Sequence, residues 1–350
     1  IKELHLGGGT PTFFAPEQLD RLLKGILEGS QLISNPSFSF EGHPSNTTEA
    51  HLQTLKNHGF KRVSFGIQDY NLDVQKAIHR IQSFEEVEWI SKLARQNGYQ
   101  SVGHDLIYGL PLQTLEHIKE TIRLTLQIKP DRIALYSYAH VPWLKGNGQR
   151  GFTDDQLPSA VEKQSQYQWA KNELIKAGYV EIGMDHFSLE TDQLSIAKNS
   201  GKLHRNFMGY TDQNTALMIG LGMSAISDSW GAFAQNEKNL EAYQALVNQG
   251  ILPIFRGHIL SETDKIVRKH ILNIMTCFTT DFSEQSMRFG NLERSLYALE
   301  PLLDDGLITL ENLKLTVTPK GQPFVRNIAM VFDQYLATNQ IDKPLFSMTV

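Results

Sequence analysis

Three consecutive glycines, Gly7-Gly8-Gly9, followed by Thr10, form the first segment of the chain that suits ligand binding. Glycine leaves the backbone N–H and C=O groups uncovered, so a ligand can approach the main chain closely. The segment is not a Walker loop, because no Gly-Lys-Ser/Thr follows, and it is not a G-x-G-x-x-G dinucleotide fingerprint. Taken alone, the glycines are better explained by a tight turn between a strand and a helix.

Polar side chains also follow the next four apolar runs of the chain. Glu41 ends the second run, Gln68 and Asp69 end the third, Asp105 ends the fourth, and His140 follows the fifth. A parallel β/α barrel gathers its functional side chains at the carboxyl ends of its strands. We therefore expect a polar, glycine-lined pocket for a nucleotide-like or multiply charged ligand.

The chain has 12 histidines, so a metal site is a competing interpretation. No H-x-H, H-E-x-x-H or i,i+4 histidine pair occurs, which disfavours a zinc protease. Asp185-His186 and His104-Asp105 remain candidate ligands of a metal-dependent barrel hydrolase. Cys277 is the one cysteine and lies in an apolar helical stretch, where we expect it to pack as a small hydrophobe. One cysteine excludes a disulfide within the chain and an all-cysteine iron–sulfur site built from this chain alone.

The first 140 residues alternate short apolar runs with helical patterns at the spacing of β/α units. This alternation predicts a parallel sheet, as a barrel or a doubly wound sheet, over a domain of residues 1–235. Helical patterns and one short hairpin predict a mainly helical domain over 236–350. The predicted strands are Leu4–Leu6, Phe38–Phe40, Val63–Ile67, Val102–Ile107, Ile133–Tyr138 and a possible sixth, Tyr179–Gly183, and the predicted helices of the first domain are Pro16–Leu27, Thr47–Asn57, Phe84–Asn97, Leu115–Gln127 and Asp154–Ala177.

Composition narrows the classes of partner. Hydrophobic residues make up 41 % of the 350 residues, which is enough for a sizeable core. The net charge of −5 gives no overall basic field, so we expect no nucleic-acid partner. The longest apolar runs fall far short of the ~20 residues of a membrane span, so we expect no span. No charged-then-apolar leader is visible, so we expect a cytoplasmic protein.

Several strings, taken in order, resemble the radical S-adenosylmethionine (SAM) family and, within it, the oxygen-independent coproporphyrinogen III oxidases. The resemblance spans nearly the whole chain, and the segments around Gly183–Phe187 and Leu203–Tyr210 are specific to the oxidases. The strings that carry it are His5–Thr12, Ser64–Asp69, Asp105–Pro111, Tyr138–Pro142, Glu181–Phe187, His204–Tyr210 and Val317–Gly321 through Ile328.

The resemblance implies an α/β fold, a partial (β/α)₆ TIM-like radical SAM barrel, followed by the mainly helical C-terminal domain. It also implies two bound SAM molecules and a [4Fe–4S] cluster that cleaves one of them to a 5′-deoxyadenosyl radical. The reaction would be the oxidative decarboxylation of coproporphyrinogen III to protoporphyrinogen IX in heme biosynthesis. We expect a monomer that takes its electron from an unidentified donor.

The resemblance also implies site residues, position by position. Contacts to the cluster-bound SAM are expected from Gly8, Glu41 and Ile226, and contacts to the second SAM from Gly9, Thr10, Gln68, Arg80, Asp105 and Ala139. Carboxylates can accept from amines or hydroxyls, and the Arg80 guanidinium can fork onto a carboxylate. Arg205 is the first candidate for a substrate propionate, followed by Lys145 and Arg150.

The chain departs from the family at one motif. The C-x₃-C-x₂-C cluster motif belongs upstream of Gly7–Thr12, and this chain does not contain it. Since three thiolates must hold the cluster, we expect the chain to be a fragment that is inactive alone, with its cluster cysteines and first strand upstream of Ile1. A cluster-less relative is the alternative to a fragment, and a heme chaperone of the same family is the alternative function.

Overall fold

The computed structural model describes residues 1–141 and 152–338, which form two compact units. The first contains Ile1–Ile196, and the second begins at Ala197. The sequence patterns placed the domain boundary later, between residues 235 and 236. The difference arises because short strands, which give no helical or alternating pattern, follow Ala197.

A seven-stranded sheet forms the centre of the first unit, in the order β1-β2-β3-β4-β5-β7-β6. The pairs from β1 to β5 are parallel, whereas β7 pairs antiparallel with both β5 and β6. The expectation of a parallel α/β sheet is confirmed. The strands are β1 Glu3–Leu6, β2 Ser37–Gly42, β3 Phe60–Gln68, β4 Ser101–Tyr108, β5 Arg132–Ser137, β6 Tyr179–Gly183 and β7 His186–Leu189.

Helices follow the strands and cover one face of this sheet. In β3 the side chains of Val63, Phe65 and Ile67 are buried, and they join apolar side chains of the helices in one core. Such alternation is the period of a strand with two different faces. The helices are α1 Pro16–Leu27, α2 Glu49–Asn57, α3 Leu72–Ala77, α4 Phe84–Gln96, α5 Leu115–Ile128, α6 Ala160–Lys176 and α7 Gln193–Asn199.

Local capping explains why several of these helices begin where they do. At α4, the Ser83 hydroxyl accepts the Glu86 N–H at 3.1 Å, and the Glu86 carboxylate accepts the Ser83 N–H at 2.8 Å. This reciprocal pair satisfies two backbone donors that a helix start leaves unpaired. Thr48 caps α2 and Thr114 caps α5, each with a histidine as the third helical residue.

The second unit contains more strand than expected. Two three-stranded sheets, in the orders β10-β11-β12 and β13-β15-β14, accompany its helices, and the predicted C-terminal hairpin is present as β14 and β15. Cys277 is exposed, so its prediction as a packed residue is wrong: it is the last residue of its helix, beyond the buried residues Ile274 and Met275. The strands are β8 His204–Asn206, β9 Gly209–Thr211, β10 Ile226–Asp228, β11 Ala232–Asn236, β12 Ile254–Ile259, β13 Thr279–Asp281, β14 Ile308–Glu311 and β15 Lys314–Val317, and the helices are α8 Leu240–Asn248, α9 Glu262–Cys277, α10 Leu292–Tyr297, α11 Glu300–Asp304, α12 Val325–Met330 and α13 Gln334–Thr338.

A buried ion pair ties the amino ends of β4 and β5 to the segment before α7. The Asp192 carboxylate accepts the Arg132 Nε–H at 2.8 Å, the Ser101 hydroxyl at 2.8 Å and the Leu194 N–H at 2.8 Å.

Within residues 1–141 and 152–338, no helix is both long enough and apolar enough to cross a bilayer.

We expect Asp192→Ala to lower the free energy of unfolding by about 3 kcal/mol, because it leaves the Arg132 charge buried without its partner. Urea unfolding followed by circular dichroism measures the loss. Asp73→Ala removes the exposed Asp73–Lys76 pair and serves as the control, with an expected change of about 0.5 kcal/mol or less. Equal losses in the two variants would contradict this role for Asp192.

Candidate functional site

The face of the sheet opposite the helices is polar and lined by small residues. On β3, Ser64, Gly66 and Gln68 alternate with the buried apolar side chains, and on β4 Asp105 follows the same alternation. The parallel register places Glu41 beside Ser64 and Gly66 beside Asp105. The sheet therefore brings the polar strand ends to one edge, as the strand-end pattern predicted.

Glu41 is the centre of a hydrogen-bonded group on β1 and β2. Its Oε1 lies 3.3 Å from His5 Nε2, and its Oε2 accepts the Gly8 N–H at 3.4 Å. The other ring nitrogen of His5 lies 2.9 Å from Ser39 Oγ, which also accepts a hydrogen bond from Arg62 at 2.8 Å. The histidine is thus fixed between Ser39 and Glu41.

These contacts keep Glu41 ionised. The hydrogen bond from His5 lowers the pKa of Glu41, and the positive field of His5 and the Gly8 N–H act in the same direction against the opposing effect of burial. The Glu41 side chain still exposes 44 % of its surface. A negative, accessible carboxylate therefore lies directly below the glycine loop.

Asp105 is the second carboxylate of this edge. Its pKa is raised to about 6, mainly by burial and also by the nearby negative charge of Glu41. The Ser64 hydroxyl donates to Asp105 Oδ1 at 2.8 Å and, together with Arg80 and His5, partly offsets this increase. Asp105 consequently changes protonation close to neutral pH.

Arg80 brings a positive charge to the same edge from the segment after α3. Its Nη2 donates to the Gly66 carbonyl at 3.0 Å, whereas its Nε is buried and has no hydrogen-bond partner within the described residues. Burial lowers the pKa of Arg80, and the Asp105 charge opposes that decrease. A buried donor without a partner is a place where a ligand oxygen fits.

Gly66 makes room for this arrangement. A Cβ at this position would lie 2.7 Å from Arg80 Nη2 and 2.9 Å from Gln68 Nε2. Any side chain there would displace both groups, so the close approach requires glycine. Gln68 has a φ of +67°, a left-handed conformation that a non-glycine residue adopts at a cost of about 1 kcal/mol or more.

The glycine loop is open toward ligands. Gly8 and Gly9 have φ values of +77° and +74°, and a Cβ on either would meet no atom within 4 Å. Thr10 follows in an extended conformation, and its carbonyl accepts the Phe13 N–H at 2.9 Å. The loop thus presents uncovered backbone beside Glu41.

The other predicted site residues lie elsewhere in the chain. Ala139 is exposed, two residues after β5. Ile226 begins β10 and Arg205 lies on β8, both in the second unit, where the Arg205 guanidinium lies 5.0 Å from the centre of the Tyr210 ring. Lys145 and Arg150 lie outside the described residues.

The metal-hydrolase alternative rests on His104-Asp105, which lies on β4, and on Asp185-His186, which lies at the start of β7. His104 is buried against the Ser91 hydroxyl at 3.0 Å, and burial lowers its pKa to about 3. Asp185 precedes β7, which begins at His186, and the Asp185 carbonyl accepts the Leu135 N–H at 2.7 Å. In the part of the chain that the structure describes, no three His, Cys, Asp or Glu side chains form a metal-binding group.

Sequence reasoning assigned no role to His5 and Ser64. Residues two apart in a strand share one face. His5 precedes Gly7 by two residues and Ser64 precedes Gly66 by two, so both lie on the same side as a glycine of the site. That spacing was the available signal. With two carboxylates, one guanidinium and uncovered backbone, this edge can bind a ligand that carries both cationic and anionic groups.

Comparisons with known proteins identify the family to which this chain is similar. Residues 1–125 match the radical SAM superfamily. An oxygen-independent coproporphyrinogen III oxidase from Helicobacter pylori is 40 % identical over 96 % of this chain and 75 % of its own length, and one from Synechocystis is 39 % identical over 100 % and 77 %. The solved structure of coproporphyrinogen III oxidase from Escherichia coli, described as a radical SAM enzyme, is similar with a TM-score of 0.90 and 38 % identity, covering 96 % of this chain and 78 % of that one.

The raised pKa of Asp105 predicts a pH-dependent stability. Because its folded-state pKa of about 6 exceeds the ordinary value of about 3.9, the folded state loses stability as pH rises between those values, by at most about 1.4 kcal/mol per pH unit. We expect Asp105→Asn to remove this slope, so the variant gains relative to wild type from pH 4.5 to pH 7 in urea unfolding.

Asp20→Asn is the control of opposite sign. Hydrogen bonds from Lys24 and His58 lower the pKa of Asp20, so its contribution is present at neutral pH and is lost as pH falls. The Asp20 variant should therefore lose stability relative to wild type as pH rises through the acid range up to about 3.9, and its curve should run parallel to wild type from pH 4.5 to pH 7. Parallel curves for Asp105→Asn and wild type would refute the assignment of a raised pKa to Asp105.

Proposed function

Because this chain belongs to the oxygen-independent coproporphyrinogen III oxidases of the radical SAM superfamily, we propose that it is an oxidoreductase of porphyrin biosynthesis that converts coproporphyrinogen III to protoporphyrinogen IX. The observation that carries this proposal is the similarity to the Escherichia coli enzyme, 38 % identity and a TM-score of 0.90 over 96 % of the chain. In this reaction two propionate side chains each lose a hydrogen atom, CO₂ and one electron and become vinyl groups.

Membership of the superfamily implies SAM and a [4Fe–4S] cluster. Together they supply a 5′-deoxyadenosyl radical that abstracts a hydrogen atom from the propionate. The residues of the strand-end edge fit SAM, because its sulfonium and ammonium charges match Glu41 and Asp105, and its carboxylate suits the unpaired Nε of Arg80.

The residues of this chain do not include a set of ligands that fits the cluster. The chain has one cysteine, Cys277, which is exposed at the end of α9 in the second unit. Three thiolates are needed, so the residues of this chain do not supply the ligands of the cluster.

For the cluster-bound SAM we propose contacts from Gly8, Glu41 and Ile226. Gly8 offers uncovered backbone, and Glu41 offers an ionised carboxylate whose position His5 fixes. Ile226 supplies backbone or apolar contact suited to an adenine. Glu41 stays negative when a ligand enters, because its hydrogen bond to His5 already favours the charged form.

For a second SAM we propose contacts from the loop beyond Gly8 and from the ends of β3, β4 and β5. Arg80 holds the carboxylate, Asp105 accepts from an amine or hydroxyl, and Gln68 offers an amide at the strained end of β3. With its pKa of about 6, Asp105 is largely ionised at neutral pH. The full set is Gly9, Thr10, Gln68, Arg80, Asp105 and Ala139.

The substrate carries four carboxylates, so cations must meet its propionates. We propose Arg205 for one of them, since its guanidinium is an available hydrogen-bond donor on β8. We further propose that the enzyme acts as a monomer and receives its electron from a separate donor.

Arg80→Ala tests the second SAM site in the protein that carries its cluster. We expect SAM bound at saturation to fall from two molecules to one, measured by equilibrium dialysis with labelled SAM. We expect protoporphyrinogen formation to fall about 100-fold or more, since a charge-assisted contact worth about 3 kcal/mol is lost. The cluster absorbance should stay unchanged.

Arg123→Ala is the matched control, because Arg123 is exposed and pairs with Glu120 on the same helix. It should bind two SAM molecules and turn over as wild type does. Turnover by Arg80→Ala within twofold of wild type would refute the second-site assignment. Stoichiometric retention of heme by the wild type, without release of CO₂ from coproporphyrinogen III, would instead indicate a heme chaperone.

A further inference from the structure

Below the proposed second SAM site lies a group of buried polar side chains that the reaction does not use. Asp69, Gln75, Gln82 and Gln113 expose 0 %, 2 %, 3 % and 3 % of their surface. Burying such groups costs free energy unless each is hydrogen-bonded. Their positions therefore call for a reason beyond core packing.

Asp69 and Gln113 join the ends of two neighbouring strands. Asp69 Oδ2 accepts the Gln113 amide at 2.6 Å, and Asp69 Oδ1 accepts the Asn71 N–H at 2.6 Å. The Gln113 amide also donates to the Ile107 carbonyl at 2.8 Å, and its oxygen accepts the Leu110 N–H at 3.1 Å. The pair thus fixes the end of β3, which carries Gln68, against the end of β4, which carries Asp105.

Two further glutamines hold the backbone on both sides of Gln68. Gln82 Nε2 donates to the Ile67 carbonyl at 2.6 Å, and Gln75 Nε2 donates to the Asp69 carbonyl at 2.9 Å. Between these two carbonyls, Gln68 adopts its left-handed φ of +67°. A strained residue keeps such a conformation only when its surroundings hold it there.

The same group also holds Arg80. The Gln75 carbonyl accepts the Arg80 N–H at 2.9 Å, and Gln75 Nε2 also donates to the Gln82 carbonyl at 2.8 Å. The backbone at residues 80–82 is therefore linked to the backbone at residues 67–69 by side-chain amides alone. These bonds hold Gln68 and Arg80, which lie before and after α3, in fixed positions relative to each other.

We propose that Asp69 and Gln113 are positioning residues for the second SAM, which act by holding Gln68 and Arg80 in the geometry that binds it. This inference rests on the proposed second SAM site. Neither side chain touches the ligand in this scheme, since both are buried beneath it. The consequence is that breaking the pair weakens the second site selectively and leaves the first SAM site intact.

Asp69→Asn and Gln113→Met break the pair from either side. Asp69 accepts two N–H donors, and an asparagine offers one acceptor and one donor, so one of these bonds is lost. Gln113→Met keeps the length of the side chain but removes its three side-chain hydrogen bonds, to Asp69, the Ile107 carbonyl and the Leu110 N–H. In the cluster-loaded protein, we expect each variant to weaken the second SAM-binding step about tenfold and to leave the first step within twofold.

Three further readouts separate positioning from general destabilisation. We expect KM for SAM to rise about tenfold while kcat at saturating SAM falls less than threefold. The double variant should bind no more weakly than the weaker single variant, because both changes remove one interaction. Ser101→Ala, which removes a buried hydrogen bond to Asp192 at the opposite end of β4, should lower the melting temperature without changing either SAM affinity.

The outcomes distinguish the two proposals. If Arg80→Ala weakens the second SAM step but Asp69→Asn and Gln113→Met bind SAM as wild type does, the positioning role is wrong and the second site stands. If Ser101→Ala weakens the second step as much as Asp69→Asn, the effect is general destabilisation and the positioning role is again wrong. If Arg80→Ala itself leaves two SAM molecules bound, the second-site assignment fails first.

Discussion

The carboxylates of Glu41 and Asp105, at one end of the sheet, determine which residue types can surround them. Glu41 on β2 and Asp105 on β4 lie on either side of β3 in the parallel sheet, and the charge of Glu41 raises the pKa of Asp105. The edge stays polar because His5 fixes Glu41 in its ionised form, whereas Ser64 and Arg80 favour the ionised form of Asp105. The two carboxylates are thereby kept in different electrostatic surroundings, although they are close enough to influence each other.

Small residues on the same face follow from this constraint. A parallel sheet is commonly apolar on both faces, but here the face opposite the helices carries glycine, serine and charged side chains. Gly66 leaves the space that Arg80 and Gln68 occupy, and Gly7 would clash with His5 and Glu41 if it carried a Cβ. Glycine at these positions therefore maintains the distances between charges, in addition to shaping turns.

The sequence predicted those parts of the structure that depend on local pattern. α1 begins and ends at the predicted residues, because Pro16 fixes its first turn and an amphipathic stripe defines its length. The β6–β7 hairpin was harder to predict, since Met184 makes the reversal with a φ of +47° and the two turn residues, Met184 and Asp185, are not the Asn-Gly or Asp-Gly pair that usually marks such a turn. The six strands from β8 to β13, which follow Ala197, were missed because three to six residues give too little alternation to detect.

The residues of the site also divide into those that a local sequence pattern predicts and those that depend on contacts between distant segments. Residue types at strand ends indicated Glu41, Gln68 and Asp105, because the carboxyl ends of parallel strands meet at one edge. Their partners depend on register between strands that are distant in sequence: His5 meets Glu41 across 36 residues, and Asp69 meets Gln113 across 44. No local pattern contains that information, so Asp69 could be read only as another polar strand end.

The choice of buried partners also makes physical sense. Holding a strained loop beneath a charged ligand site with ion pairs would add charges within a few ångströms of Arg80 and Asp105, whose pKa values burial already shifts. Neutral glutamine amides offer both a donor and an acceptor without adding net charge. Asp69 is the one ionisable member of the group, and burial raises its pKa while Gln113 and the Asn71 N–H oppose the change. The loop can therefore be rigid while the field at the ligand edge remains that of Glu41, Asp105 and Arg80.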